Sequence, residues 1–373
     1  MKLKGADIMA NFFKKLSGFL MAFVIFILGF FGVITGTEKT TVKNVIFLIG
    51  DGMGSMSIEK TRHETGVSLA LDTFAVKGFS KTASASSSVT DSAAGATALA
   101  CAVRTNNGCV GVYPNDIHAE KSYPMNLCEF LKSKGLKTGI VTTDKTRGAT
   151  PGGFSAHASS RNNNAEITRD QLESSLDLIW GAKTSTCSRS KAKKAGFEYV
   201  TSYKEMSALT AETRSFGQFD GELWRKDCGT LPTLTQMTTK AIELLDSGEN
   251  GFFLMVEGAH IDKNSHVNDG EGMKEALLSF DSAVKAALSF AKKDGETLVV
   301  VTADHETGGI TLKDGKYVYT TTDHTGVDVP LFVFGWDEFF SDGEETVLNT
   351  DIPKRIVTAL GQSGFPQTVS VAA

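Results

Sequence analysis

The 373-residue chain reads as an α/β protein with a largely parallel sheet, and two observations carry that expectation. The first is a series of short, continuously apolar, β-branched runs: VIFLI at 45–49, GIVTT at 139–143, FFLMV at 252–256, LVVVTA at 298–303 and LFVFG at 331–335. Such runs suit strands buried on both faces of a parallel sheet. The second is helical patterning between them. It is clearest from Glu271 to Lys293, where Leu277, Phe280, Val284, Leu288 and Ala291 recur at three- and four-residue steps. Strands alternating with helices imply a layered fold, and in such folds ligands gather at the carboxyl ends of the strands.

Composition narrows the function. Hydrophobic residues make up 41% of the chain and charged residues 22%, the balance of a globular protein with a large core. Lys plus Arg number 38 against 43 for Asp plus Glu, and the net charge of −5 leaves no electrostatic footprint for nucleic acid. Lys14 and Lys15 precede an uncharged apolar run from Phe19 to Ile34. That is a secretory signal pattern, slightly short of the roughly 20 residues of a transmembrane helix. Residues 1–36 are therefore expected to be a signal peptide or an N-terminal anchor. The body is expected to be exported, periplasmic or extracellular, touching membrane only if the segment stays uncleaved. The five cysteines form no C-x-x-C, and Cys187 with Cys228 is the one pair they suggest. The Ser/Thr/Asn/Lys-rich stretch from Ser155 to Gly229 reads as a mobile insertion or as covering loops around short helices.

Four of the apolar runs lead into carboxylates or polar clusters: Asp51, Asp144, Glu257 and the pair Asp304-His305. One carboxylate past a strand is commonly a cap or turn residue. Several along one sheet edge point to a site. Asp262 and His266 stand at i, i+4 and so share one face of a helical turn; His324 lies in DHTG. Imidazole with carboxylate is a ligand set that zinc accepts. His63, His118 and His260 read as ordinary core or surface residues, and His157 either as a support behind the site or as a packing residue. Asp51, Glu257, Asp262, His266, Asp304, His305 and His324, with Thr150 through its hydroxyl, are too many ligands for one zinc. They suit two nitrogen-containing sites and one all-oxygen site of the kind magnesium prefers. Two metals about 4 Å apart are the usual clamp for in-line phosphoryl displacement.

In VTDSAAGATA (89–98), the alanine-rich continuation favours a helix and Asp91 is a good N-cap, which puts Ser92 in the first turn. Free N–H groups and the positive helix end there favour an anion. On this stretch alone Ser92 reads as a capping or packing residue. The ligand inventory around it makes a nucleophile the better reading.

Six stretches taken together resemble the alkaline phosphatase family in order and detail: NVIFLIGDGMG (44–54), TDSAAGATA (90–98), ATPGGFSAHASSR (149–161), VEGAHIDKNSH (256–266), VTADHETGG (301–309) and HTG (324–326). The resemblance implies a three-layer αβα sandwich around a large, mostly parallel sheet, as one catalytic domain over 37–373 with a short crown segment near 306–323. It implies metal-dependent hydrolysis of small-molecule phosphate monoesters through a phosphoserine, at alkaline pH and over a broad substrate range, by a homodimer. Position by position, Ser92 would be the nucleophile and Arg161 the guanidinium that grips phosphate. Asp262, His266 and His324 would hold one Zn2+, Asp51, Asp304 and His305 a second, and Asp51, Thr150 and Glu257 one Mg2+.

The chain departs from the family pattern at Gly148, where an Asp or His usually stands beside the magnesium ligands. The interval from His305 to His324 is also short. Lys263 reads either as a water-mediated phosphate contact or as a solvated lysine. The rival readings are a sulfatase, a phosphodiesterase and a non-catalytic metal- or phosphate-binding protein. Ser92 lacks the C/S-x-P-x-R context of a sulfatase, diesterases more often use Thr, and a non-catalytic relative predicts a broken ligand set.

Overall fold

Side chains alternate along a strand, and in the first one, β1 (Asn44–Gly50), both sets are apolar. Ile46 and Leu48 pack into one core with Ile58, Met237, Leu277 and Phe280. Val45, Phe47 and Ile49 pack into another with Leu99, Leu127, Phe130 and Ile356. This strand therefore sits in the middle of three layers. The protein is represented by a computed structural model that describes residues 42–371, so the expected signal or anchor segment at 1–36 lies outside the described residues.

The remaining strands of the main sheet are β2 (Val76–Lys81), β3 (Lys137–Lys145), β4 (Leu178–Ala182), β5 (Glu198–Val200) and β6 (Ser215–Phe219). They are followed by β7 (Phe252–Gly258), β8 (Thr297–Thr302), β9 (Val329–Phe334) and β10 (Thr346–Leu348). The ten lie in the order β10-β2-β9-β8-β1-β7-β3-β4-β6-β5. One face carries the helices α1 (Ser55–Thr65), α4 (Leu234–Leu245) and α5 (Gly270–Asp294). The other carries α2 (Ser92–Cys101), α3 (Leu127–Ser133) and α6 (Asp351–Ala359). Leu277, Phe280, Val284, Leu288 and Ala291 of α5 are all buried, as their spacing requires. This is the αβα sandwich expected from the sequence.

Four neighbours at the centre, β8, β1, β7 and β3, run parallel, so their carboxyl ends share one edge. β1 is paired on both sides, Val45 with Phe253 of β7 and with Leu298 of β8. Between Thr307 and His324 the chain makes only small structures: a ladder pairing Glu306–Thr307 with His324–Thr325, and a hairpin of Thr311–Lys313 with Lys316–Val318. Among the described residues no helix is long and apolar enough to cross a membrane.

Three expectations need correction. The run at 331–335 lies in β9, which is antiparallel to both β2 and β8 although it is as apolar as its parallel neighbours. Apolarity reports burial on two faces, which either direction can supply. The stretch 155–229 is no covering loop, because it contributes β4, β5 and β6, one whole wing of the sheet. Glycines dilute its apolar signal, yet the packing needs them. A Cβ on Gly181 would come 2.6 Å from Thr142 Cγ2, and one on Gly217 would come 2.8 Å from Trp180 Cδ1. Finally, Cys187 and Cys228 are both free thiols, each directed at a backbone carbonyl of its own segment.

Trp180 in β4 is fully buried, and its indole N–H donates to Ser215 Oγ at 3.0 Å. Trp180→Ala should lower unfolding free energy in urea by about 3–5 kcal/mol, the cost of a large core cavity. A covering loop would show almost no change.

Candidate active site

The candidate residues collect where the four central strands end. Asp51 follows β1, Glu257 is the penultimate residue of β7, and Asp304 and His305 follow β8. All four are buried. The turn after β1 is drawn toward β8 because the Gly52 N–H donates to Asp304 Oδ1 at 3.2 Å. Gly52 has φ +70, and a Cβ there would come 2.8 Å from Asp262 Cβ, so the turn fits only glycine.

Ser92 is the first residue of α2, as the sequence indicates. Asp91 caps the helix by accepting the Ala94 N–H at 3.0 Å on Oδ1. Its other oxygen accepts the Gly108 N–H at 3.0 Å and Arg161 Nη1 at 3.2 Å, so the same carboxylate fixes both the nucleophile candidate and the guanidinium candidate. Every residue of α2 is buried. Its small side chains let it lie against the β8 end: a Cβ on Gly95 would already come 3.0 Å from Asp304 Cβ. The result places Ser92 Oγ 3.1 Å from His305 Nε2.

Around that serine two ligand sets converge. Asp51, Asp304 and His305 each offer one atom within 4.8 Å of the others, and so do Asp262, His305 and His324. His305 Nε2 is 3.5 Å from Asp51 Oδ1 and 3.4 Å from Asp304 Oδ2, two oxygens that have no hydrogen-bond donor. His266 joins the second set, with Nε2 3.3 Å from Asp262 Oδ1 and 3.0 Å from His324 Nε2. The outer nitrogens explain the orientation. His266 Nδ1 lies 2.6 Å from the Thr322 carbonyl and His324 Nδ1 lies 2.9 Å from that of Thr90. A carbonyl only accepts, so each Nδ1 carries a proton, and Nε2 is the nitrogen each ring turns inward.

Electrostatics show that this arrangement is incomplete without positive charge. Burial, reinforced by the charges of Asp304, Asp262 and Glu257, holds the Asp51 carboxyl well above the usual range. Burial and then Asp262 push Asp304 up to about 8, and burial and then Asp144 push Glu257 up to about 7. His305 is pulled well down by burial and by the neighbouring His324. Carboxylates and neutral imidazoles facing one another in a buried site fit divalent cations, which supply the missing charge.

Beside this centre, Thr142 Oγ1 donates a short hydrogen bond to Glu257, and the buried Thr150 hydroxyl lies next to the same carboxylate. The space beside Gly148 is already filled, since a Cβ there would come 2.4 Å from Asp144 Oδ2. Asp144 in turn pairs with Lys263 Nζ, so this lysine is held by an ion pair and is not simply solvated. The His157 ring is engaged by Glu129 at 2.9 Å and the Gly111 carbonyl at 2.5 Å and packs on Tyr123.

Residues 42–182 and 168–326 match the family model described as alkaline phosphatase. The chain belongs to the alkaline phosphatase family. It is 38% identical over 304 residues to alkaline phosphatase 3 of Bacillus subtilis, covering 75% of this chain and 64% of that protein. It is 34% identical over 333 residues to the alkaline phosphatase of Escherichia coli, 70% of each. The chain thus spans under two thirds of the length of the Bacillus relative. Among solved structures it is similar to the alkaline phosphatase of the Antarctic bacterium TAB5, at 30% identity and a TM-score of 0.77, over 88% of this chain and all of that one. A histidine-to-aspartate mutant of that enzyme is described with Mg bound in its M3 site.

Within this family framework, the structure gathers Asp51, Ser92, Asp262, His266, Asp304, His305 and His324 in one cluster, with Glu257 and Thr150 adjoining it and Arg161 at its edge. Nothing in the sequence singles out Thr142, Thr307 or the double role of Asp91. The one available signal was position: Thr307 stands two residues after His305.

The raised carboxyls predict how the metal-free protein responds to pH. A carboxyl whose folded pKa lies above its unfolded value keeps its proton in the native state while the unfolded chain has already lost it. Stability of chelator-stripped protein should therefore fall as pH rises from about 4 toward 8, the range spanned by the Glu257 and Asp304 shifts. Asp304→Asn should flatten that decline in a series of thermal melts. Equal slopes for the two proteins would show that Asp304 is not under charge stress.

Proposed function

We propose that this chain hydrolyses phosphate monoesters with Ser92 as nucleophile. The observation that carries the reading is Ser92 Oγ at the N-terminus of a buried helix, 3.1 Å from His305 Nε2 and surrounded by two ligand sets. Asp262, His266 and His324 would hold one zinc and Asp51, Asp304 and His305 the other. Asp51, Thr150 and Glu257, all oxygen donors, would hold magnesium. Bound there, the cations supply the positive charge that makes serine and water oxygens nucleophilic and stabilises the departing oxygen.

Ser92 loses its proton to solvent and its Oγ attacks phosphorus. The ester P–O bond breaks with its electron pair on the alcohol oxygen, which takes up a proton. Water then attacks the phosphoserine, and the Oγ–P bond breaks to return Ser92 and release inorganic phosphate. Arg161 pairs with Asp91 at 3.2 Å and its side chain is 37% exposed, so the guanidinium is held in place yet can meet two phosphate oxygens. Since these groups engage the phosphoryl end alone, the alcohol is free to vary and the substrate range is broad. The need for deprotonated oxygen nucleophiles sets an alkaline optimum. The same reading has the enzyme exported, on the apolar run from Phe19 to Ile34, and working as a homodimer.

Ser92→Ala should reduce p-nitrophenyl phosphate turnover by about a thousandfold or more and abolish acid-stable phosphoenzyme while leaving zinc content unchanged. Turnover near the wild-type level would remove the covalent mechanism. Arg161→Ala should raise KM and weaken inhibition by inorganic phosphate. Chelation should eliminate activity, with zinc plus magnesium restoring it. Assays of monoester, diester and sulfate ester on one preparation separate the monoesterase from its rivals.

A further inference from the structure

We infer that Thr307 is a positioning residue whose single hydroxyl orients ligands of both zinc sets and decides which nitrogen of His305 carries the proton. The inference rests on the ligand assignments of the proposed function.

Thr307 Oγ1 lies 2.5 Å from Asp262 Oδ1 and 3.2 Å from His305 Nδ1. A hydroxyl has one proton to give and a carboxylate has none. The hydroxyl hydrogen therefore goes to Asp262, and the Thr307 oxygen is left to accept. The group facing it must then be a donor, so Nδ1 of His305 carries hydrogen. The chain of donation runs from His305 Nδ1–H to Thr307 Oγ1–H to Asp262 Oδ1. Its far end is a bare lone pair on His305 Nε2, directed at Ser92 Oγ, Asp51 Oδ1 and Asp304 Oδ2 at 3.1, 3.5 and 3.4 Å. Of those three partners, Ser92 carries a proton whatever the charge of the two carboxyls.

The backbone of the same residue ties the remaining parts. The Thr307 N–H donates to the Gly52 carbonyl at 3.2 Å, which holds the turn that carries Asp51. Thr307 also pairs with His324 across the two-stranded ladder. A Cβ on Gly52 would come 2.7 Å from Thr307 Oγ1, so glycine keeps the hydroxyl's position clear. One residue thus touches Asp262, His305, the Asp51 turn and the strand of His324. Without the hydroxyl, Asp262 can rotate and His305 can move its proton to Nε2, where it blocks a ligand atom.

Two measurements test this. In metal-free wild-type protein, nitrogen-15 spectra should show the His305 proton on Nδ1; a proton on Nε2 overturns the assignment whatever the variants do. In competition with a chromophoric chelator, Thr307→Val should bind zinc about 10–100-fold more weakly, whereas Thr307→Ser should stay within about threefold of wild type. Thr307→Val should also lower kcat more than it raises KM, and its alkaline limb should shift as the Ser92 environment changes. Zinc affinity of Thr307→Val equal to wild type overturns the proposal, as does a Ser variant as weak as Val. Melting of the metal-free variants checks that each is folded. If wild-type protein binds no zinc and cleaves no monoester, the functional reading has failed, and the His305 tautomer still decides the role of Thr307.

Discussion

Asp51 Oδ1 and Asp304 Oδ2 approach His305 Nε2 at 3.5 and 3.4 Å, and His266 Nε2 lies 3.0 Å from that of His324, so carboxyl and imidazole groups crowd together in a buried volume. That crowding is what the surrounding structure has to hold in place. It does so by hanging each ligand on an element that cannot retreat. Asp51, Glu257 and Asp304-His305 sit at the ends of β1, β7 and β8, whose ladders are continuous and whose residues are wholly buried. Their backbone anchors lie at or next to the central strands of a ten-stranded sheet. Such an arrangement is consistent with a rigid site that is completed electrostatically by cations.

The serine belongs to the same scheme through a different device. A helix of larger side chains would be held farther from Asp304, because even a Cβ on Gly95 would come 3.0 Å from its Cβ. The small residues of α2 thus govern distance, while Asp91 governs direction by capping the helix and gripping Arg161. Ser92 and Arg161 are 69 residues apart in the chain and are coupled by one carboxylate. The pairing of Asp144 with Lys263 shows comparable economy. The carboxylate of Asp144 stands in the volume that a side chain at position 148 would occupy, so the glycine there and the acid four residues earlier form one arrangement.

Much of this was legible in the chain. The five apolar runs all became strands, the α5 spacing matched its buried face, and the candidate ligands at strand ends come together because strand direction forces consecutive parallel strands to present them on one edge. The wing formed by β4, β5 and β6 was not legible. Its strands are short, two of the three carry a glycine, and their apolar character comes from large single residues such as Trp180 and Phe216 rather than from continuous runs. The direction of β9 was hidden for a different reason, since burial on both faces leaves the same pattern in parallel and antiparallel strands.

Residue identity and local order determined the layered fold, the helix start at Asp91-Ser92 and the inventory of oxygen and nitrogen ligands, because these follow from short-range periodicity, capping and donor chemistry. Tertiary structure alone decided how those groups face one another. Which histidine nitrogen carries a proton depends on carbonyls of Thr90 and Thr322 and on the Thr307 hydroxyl. Whether Lys263 is available to a ligand depends on Asp144, more than a hundred residues earlier. Hydrogen bonds act over about 3 Å, and a linear chain does not record which of its distant segments folding will bring within that range.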